Sequence, residues 1–162
     1  MAFHDHTENG ITVLQSDLLC GSIRHGFSTR TGGVSPAPWD SLNLRPNQGD
    51  GPEALRENYR RFFAVLGLDE NRAVLSQQTH TDHIRRVTEE DAGKGVVRER
   101  DYTDVDGLIT NVAGLTLATF YADCVPLYFL DLKHKAIGLS HSGWRGTVNR
   151  MGQCTINAMK KA

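Results

Sequence analysis

Leu55, Tyr59, Phe62, Phe63 and Leu66 fall at i, i+4, i+7, i+8 and i+11, one apolar face at helical spacing. This predicts a helix over Pro52–Leu66. Asp50 or Gly51 can cap it, Pro52 suits a first turn where no N–H is needed, and Gly67 ends it. Elsewhere the apolar runs are short and bounded by turn residues, and they predict strands. These cover 11–16, 22–29, 73–76, 83–88, 107–110, 115–121, 125–130 and 136–140. The stretch from Thr116 to Tyr121 is apolar on both faces, which predicts a central strand covered on both sides. A second helix is expected from Thr147 to Lys160, with Val148, Met151, Ile156 and Met159 near one face.

Two stretches break this regularity. Gly32-Gly33 and the prolines of Ser35-Pro-Ala-Pro38 open a long loop that runs to about Gly51, and loops of that length are often functional. Asp91–Thr103 is charged and glycine-bearing, which predicts a surface excursion. Clusters of strands with two or three helices predict a single α+β domain over residues 1–162.

Bulk properties narrow the function classes. Of the 162 residues, 39% are hydrophobic and 23% charged, the balance of a soluble globular chain. A formal net charge of −1 leaves no electrostatic footprint for nucleic acid. No apolar run approaches the ~20 residues of a membrane helix. Met1–Gly10 lacks the basic and apolar regions of a secretory signal, and His4 and His6 within it read as a loose terminus. Three cysteines, Cys20, Cys124 and Cys154, do not make a disulfide framework, so a cytoplasmic setting is expected.

The chemistry concentrates in Phe120-Tyr-Ala-Asp-Cys-Val-Pro-Leu127 and Leu139-Ser-His-Ser-Gly-Trp-Arg-Gly-Thr147. Cys124 and His141 lie 17 positions apart at the ends of two apolar runs, where a sheet can bring them together. A thiolate and an imidazole at one edge make either a metal site or a nucleophile with its base. A third donor comes from Ser76-Gln-Gln-Thr-His-Thr-Asp82, where His80 and His83 compete on sequence grounds. One Cys and two His leave a zinc's fourth position open, the pattern of a catalytic site. Asp123 is the carboxylate best placed for acid–base work or for orienting a ligand histidine. Asp104 and Asp106, at alternate positions, can share a site or simply cap a turn. Ser142-Gly143 allows close backbone approach, Trp144 reads as packing, and Arg145 is a phosphate or carboxylate partner or a salt-bridge residue. Ser28 and Arg30, in a turn with two glycines, can face phosphate, and Asn43, Asn58 and Arg61 can line the same pocket. Cys154 reads as helix-face packing.

The segments that carry this chemistry also resemble a known family. They are His25-Gly-Phe-Ser-Thr-Arg-Thr-Gly-Gly33, Gln78-Thr-His80, Asp104-Val-Asp-Gly-Leu-Ile-Thr110, Ala122-Asp-Cys-Val-Pro126 and His141-Ser-Gly-Trp-Arg-Gly-Thr147. In this order they resemble the polyphenol oxidase family with a laccase domain. Its members are also described as zinc purine nucleoside phosphorylase/adenosine deaminases and as peptidoglycan editing factors. The resemblance implies layers of mixed sheet flanked by helices, with Zn²⁺ held by His80, Cys124 and His141. It also implies that a further C-terminal segment belongs to the family domain, so residues 1–162 are expected to be its N-terminal part. Thr81 departs from the glycine or serine that many members carry after that histidine.

The leading expectation is therefore a zinc enzyme that phosphorolyses purine nucleosides and deaminates adenosine, with nucleoside and phosphate as its small-molecule partners. A copper polyphenol oxidase is the alternative that one family name suggests. It is disfavoured because a multicopper cluster needs many histidines, and the one His-X-His pair, His4 with His6, lies at the terminus. A metal-free Cys124–His141 hydrolase acting on a peptidoglycan precursor and a non-catalytic metal-binding module complete the alternatives.

Overall fold

The computed structural model describes residues 3–162. The fold is mixed α+β and forms two compact units, the first ending at Glu70 and the second running from Asn71 to Ala162.

The first unit opens with an antiparallel meander, β1 (Phe3–Glu8), β2 (Ile11–Ser16) and β3 (Phe27–Ser28). The histidines expected in a loose terminus thus lie in a paired strand, with His4 opposite Gln15 and His6 opposite Val13. The apolar alternation of β2 makes this possible: Ile11 and Val13 enter the core and give β1 a template. The strand expected over 22–29 shrinks to two residues, because 17–22 form successive turns. Helix α1 (Pro52–Val65) buries Leu55, Tyr59 and Phe63 as its spacing predicts, and Gly67 leaves it at φ +62°. Ile11, Val13, Leu42, Val65 and Leu66 form one apolar cluster. Beside it, fully buried Asn58 holds the long loop: its side chain accepts the Val34 N–H and donates to Ser35 Oγ and to the carbonyls of Ser41 and Asn43.

In the second unit β4 (Ala73–Leu75) is followed by β5 (Ile84–Arg86), β6 (Gly107–Thr110), β7 (Thr116–Ala118), β8 (Val125–Asp131) and β9 (Ala136–Ser142). Strands β5, β6, β9 and β8 make a mixed sheet in that order, and β4 pairs in parallel with β7. The strand expected to be central, 116–121, is only three residues long and lies in the two-stranded sheet. The central pair is β6 and β9, and every residue of β6 is buried. The helix expected from Thr147 is two helices, α2 (Trp144–Val148) and α3 (Met151–Lys161), broken where Arg150 takes φ +59°. Helix α3 lies on β9, and its Thr155 hydroxyl meets Ser140 Oγ at 2.7 Å. Asp91–Thr103 is more than a surface excursion, because it carries a buried ion pair between Asp91 and Lys94. Among the described residues no helix is long and apolar enough to cross a membrane.

Candidate metal centre

Strand register brings two of the donors together. Antiparallel β8 and β9 set Val125 opposite Ser142 and Pro126 opposite His141, so Cys124 leads into β8 beside the end of β9. The next residue along, Gly143, has no side chain for a physical reason. A Cβ there would stand 2.8 Å from Cys124 Sγ and 3.4 Å from His80 Cδ2. The third donor, His80, comes from the turn after β4 and holds φ +67°, a backbone region costly for most side chains. The ligand atoms of His80, Cys124 and His141 lie within 4.8 Å of one another. The two imidazoles meet edge to face with centroids 4.9 Å apart, and the Tyr121 ring stands 5.6 Å from His141.

One carboxylate organises all of this. Asp106 is fully buried and accepts the N–H groups of Thr79 (2.9 Å), His80 (3.1 Å) and Thr81 (3.0 Å), as well as the Thr81 hydroxyl (3.2 Å). It also accepts Nδ1–H of His141 at 2.7 Å, while its own carbonyl accepts the His141 backbone N–H. The same side chain therefore holds the His80 turn in its left-handed conformation and orients His141. Burial pushes the Asp106 pKa up, but the His141 hydrogen bond and the three N–H donors outweigh it and bring it down to about 2. With Nδ1 committed to a carboxylate, His141 is left with Nε2 as its donor lone pair, the usual second partner of a ligand histidine.

This corrects the preference for Asp123 as the orienting carboxylate. Asp123 is exposed in the loop before Cys124, and Asp106 does the orienting. The signal for Asp106 was its place one residue before an all-buried strand, where a carboxylate must find its donors inside the protein. Asp104 turns away from it at φ +58° and pairs with His83 Nδ1 at 2.8 Å and with the Thr79 hydroxyl. His80 and His83, equivalent on sequence spacing, are thus separated: one joins the cluster, the other, itself exposed, bonds to Asp104. Trp144, expected to pack, is 74% exposed, and Arg145 beside it places its guanidinium 5.3 Å from the indole centroid.

The remaining expected residues belong to the first unit, and most of them hold its own loop. Ser28 is half-buried in β3 opposite Val13. Arg30 donates to the carbonyls of Asp40 (2.6 Å) and Pro38 (3.0 Å). Asn43 donates to Asp50 at 2.8 Å, and Arg61 donates to Glu57 (2.7 Å) and the Gly32 carbonyl (3.2 Å).

The donor set suits a metal ion. Two imidazoles and a thiolate match zinc, and donors around one tetrahedral ion stand about 3.5 Å apart at ordinary bond lengths. The observed spacing is of that order, one histidine already has its carboxylate partner, and the glycine leaves room around the sulfur. Among the described residues this is the one group of three or more such side chains.

The chain is 36% identical over 152 residues to a purine nucleoside phosphorylase of Mus musculus, covering 92% of this chain and 33% of that one. It is 36% identical over 132 residues to the purine nucleoside phosphorylase YlmD of Bacillus subtilis, covering 79% of this chain and 46% of that one. The chain therefore spans half or less of these relatives' length. The crystal structure of YlmD from Geobacillus stearothermophilus superposes with a TM-score of 0.80 at 35% identity, over 92% of this chain and 55% of that one. Residues 24–162 match the family described as multi-copper polyphenol oxidoreductase laccase, and the chain belongs to that family.

Proposed function

We propose that this chain carries the metal centre of a purine nucleoside phosphorylase that also deaminates adenosine, with zinc as the ion. The observation that carries the reading is the His80–Cys124–His141 cluster, in a chain whose relatives are named purine nucleoside phosphorylases. A zinc ion bound there supplies a Lewis acid and a water acidic enough to deprotonate near neutral pH. The chain's own residues do the rest. Asp106 keeps His141 in the tautomer that offers Nε2 and fixes the His80 turn. Tyr121 walls one side of His141. Asp123, exposed one residue from Cys124, is the proposed proton carrier at the reacting group. Arg145 is the proposed partner of the phosphate nucleophile in this unit, by charge-assisted hydrogen bonds. Ser28, Arg30, Asn43 and Arg61 of the first unit are proposed phosphate-binding residues on the chemistry of their side chains; Asn58, fully buried in the loop's own hydrogen bonds, is left out of that set. Three free cysteines among the described residues fit a reducing, cytoplasmic setting.

The family description favours copper as a second reading, and a Cys/His set also accepts it. Three donors, however, are fewer than a multicopper cluster requires, and His4 and His6 are engaged with Asp17 and Glu8. Metal analysis of the purified protein, together with inosine phosphorolysis and adenosine deamination before and after chelation, tests the proposal. Bound zinc, with both turnovers lost on chelation and restored by Zn²⁺, is the expected result. Undiminished turnover in metal-depleted protein, with Cys124 trapped by an alkylating reagent, would favour a thiol nucleophile and sink the zinc mechanism.

A further inference from the structure

The exposed indole of Trp144, we infer, is a stacking platform for the base of a nucleoside bound at the His80–Cys124–His141 centre, an inference that rests on the nucleoside reading above. A lone exposed aromatic is ordinary on a protein surface. This one differs in how it is held. Gly143 before it is buried against Cys124 Sγ and the His80 ring, and Gly146 after it is buried with no room to spare beside Ser142 Oγ, 3.3 Å from where a Cβ would lie. The Thr147 N–H and hydroxyl both donate to the Gly143 carbonyl, at 2.9 and 3.0 Å, which closes the turn around Trp144 and Arg145. Two seated glycines and a closed turn thus present the indole outward from a backbone that touches the donor cluster. Consecutive Cα atoms are about 3.8 Å apart, so the indole is anchored one residue from the glycine whose missing side chain leaves room for the sulfur.

Arg145 stands at cation–π distance from the same ring, which orders it and sets a cation beside it. A flat aromatic face with an adjacent cation matches a nucleoside and an anion presented together. Stacking reads a base by its π-face rather than its hydrogen-bonding edge. Trp144 therefore selects for the larger purine ring system while tolerating different purines, so adenosine and inosine bind alike and a pyrimidine nucleoside binds less well.

Trp39 and Trp144 are the two tryptophans, so a Trp39→Phe background makes Trp144 the sole indole reporter. Titrating that protein with inosine and with adenosine should change its emission to similar extents. Uridine should act more weakly, and ribose 1-phosphate should leave the emission unchanged. By calorimetry, Trp144→Ala should weaken purine nucleoside binding about tenfold, Trp144→Phe should restore most of it, and neither should alter metal content. Nucleoside binding by Trp144→Ala equal to wild type would overturn the platform and leave the proposed function standing. A wild-type protein that binds no nucleoside would overturn both. Emission that follows protein concentration and ignores nucleoside would assign Trp144 to a self-association surface instead.

Discussion

Asp91 and Asp106 are both buried carboxylates of the second unit, and both are held ionised with pKa near 2, yet they are satisfied in opposite ways. Asp91 faces cations. Lys94 Nζ lies at 2.7 Å and Arg85 Nη2 at 3.0 Å, and the Thr88 N–H adds a third donor at 2.9 Å. Lys94 is shared with Asp101 at 2.9 Å, and Arg85 lies over the Tyr102 ring. Asp106 instead faces dipoles: three backbone N–H groups, a hydroxyl and an imidazole. The first arrangement cancels its own charge and ends there. The second has no lysine or arginine among its partners and lies next to two imidazoles and a thiol, where a cation is favoured. Burial and pKa alone therefore do not separate the two carboxylates; the charge of their partners does.

Removing each carboxylate should separate the two roles. Asp91→Ala leaves Arg85 without its carboxylate and Lys94 with only the exposed Asp101, and should cost about 3 kcal/mol in urea denaturation, with metal binding unchanged in the protein that remains folded. Asp106→Asn should cost less stability, about 1–3 kcal/mol for donors left without an acceptor. It should also weaken zinc about 10–100-fold in a chelator competition. A variant that lost stability while keeping wild-type zinc affinity would show that Asp106 merely supports the turn.

Acid titration sharpens the comparison further. The Asp91 pKa is lowered, so its contribution is fully present above its unfolded value of 3.8 and is lost as pH falls through about 2. The stability of the wild type should therefore fall by about 2 kcal/mol more than that of Asp91→Asn between pH 4.5 and pH 2. Parallel acid curves for the two proteins would contradict that assignment. The smallest change in stability belongs to the donor itself. His80→Asn keeps a side chain that tolerates positive φ and removes the imidazole from an exposed position, so unfolding should shift by less than about 0.5 kcal/mol. Zinc affinity should nevertheless drop sharply, measured by the same competition, and a normal affinity would remove His80 from the centre.

Much of this architecture was legible along the chain because it rests on local periodicity. The α1 stripe, the β2 alternation and the apolar runs of β6, β8 and β9 are short-range patterns, and they define where strands and helices form. What failed were the hairpin signal Asn9-Gly10 between β1 and β2 and segments whose pairing overrode their own pattern. β1 is polar on its exposed face and exists because β2 offers it an edge. The stretch after Thr116 is apolar enough for a central strand but finds only β4 to pair with. The helix expected from Thr147 is split because Arg150 takes φ +59° between α2, which begins earlier at Trp144, and α3.

The same division applies to the centre. Residue types were enough to nominate Cys124 and His141 with either His80 or His83, since thiolate and imidazole chemistry is written in the side chains themselves, and the family resemblance selected His80. Choosing Asp106 over Asp123 and exposing Trp144 were decided by tertiary structure alone. Each depends on which donor or acceptor lies within hydrogen-bond reach of a backbone folded by contacts between residues far apart in sequence, such as that between Asp106 and His141, 35 residues apart. A hydrogen bond needs its partner at about 3 Å, and sequence spacing carries no such distance until a sheet closes it.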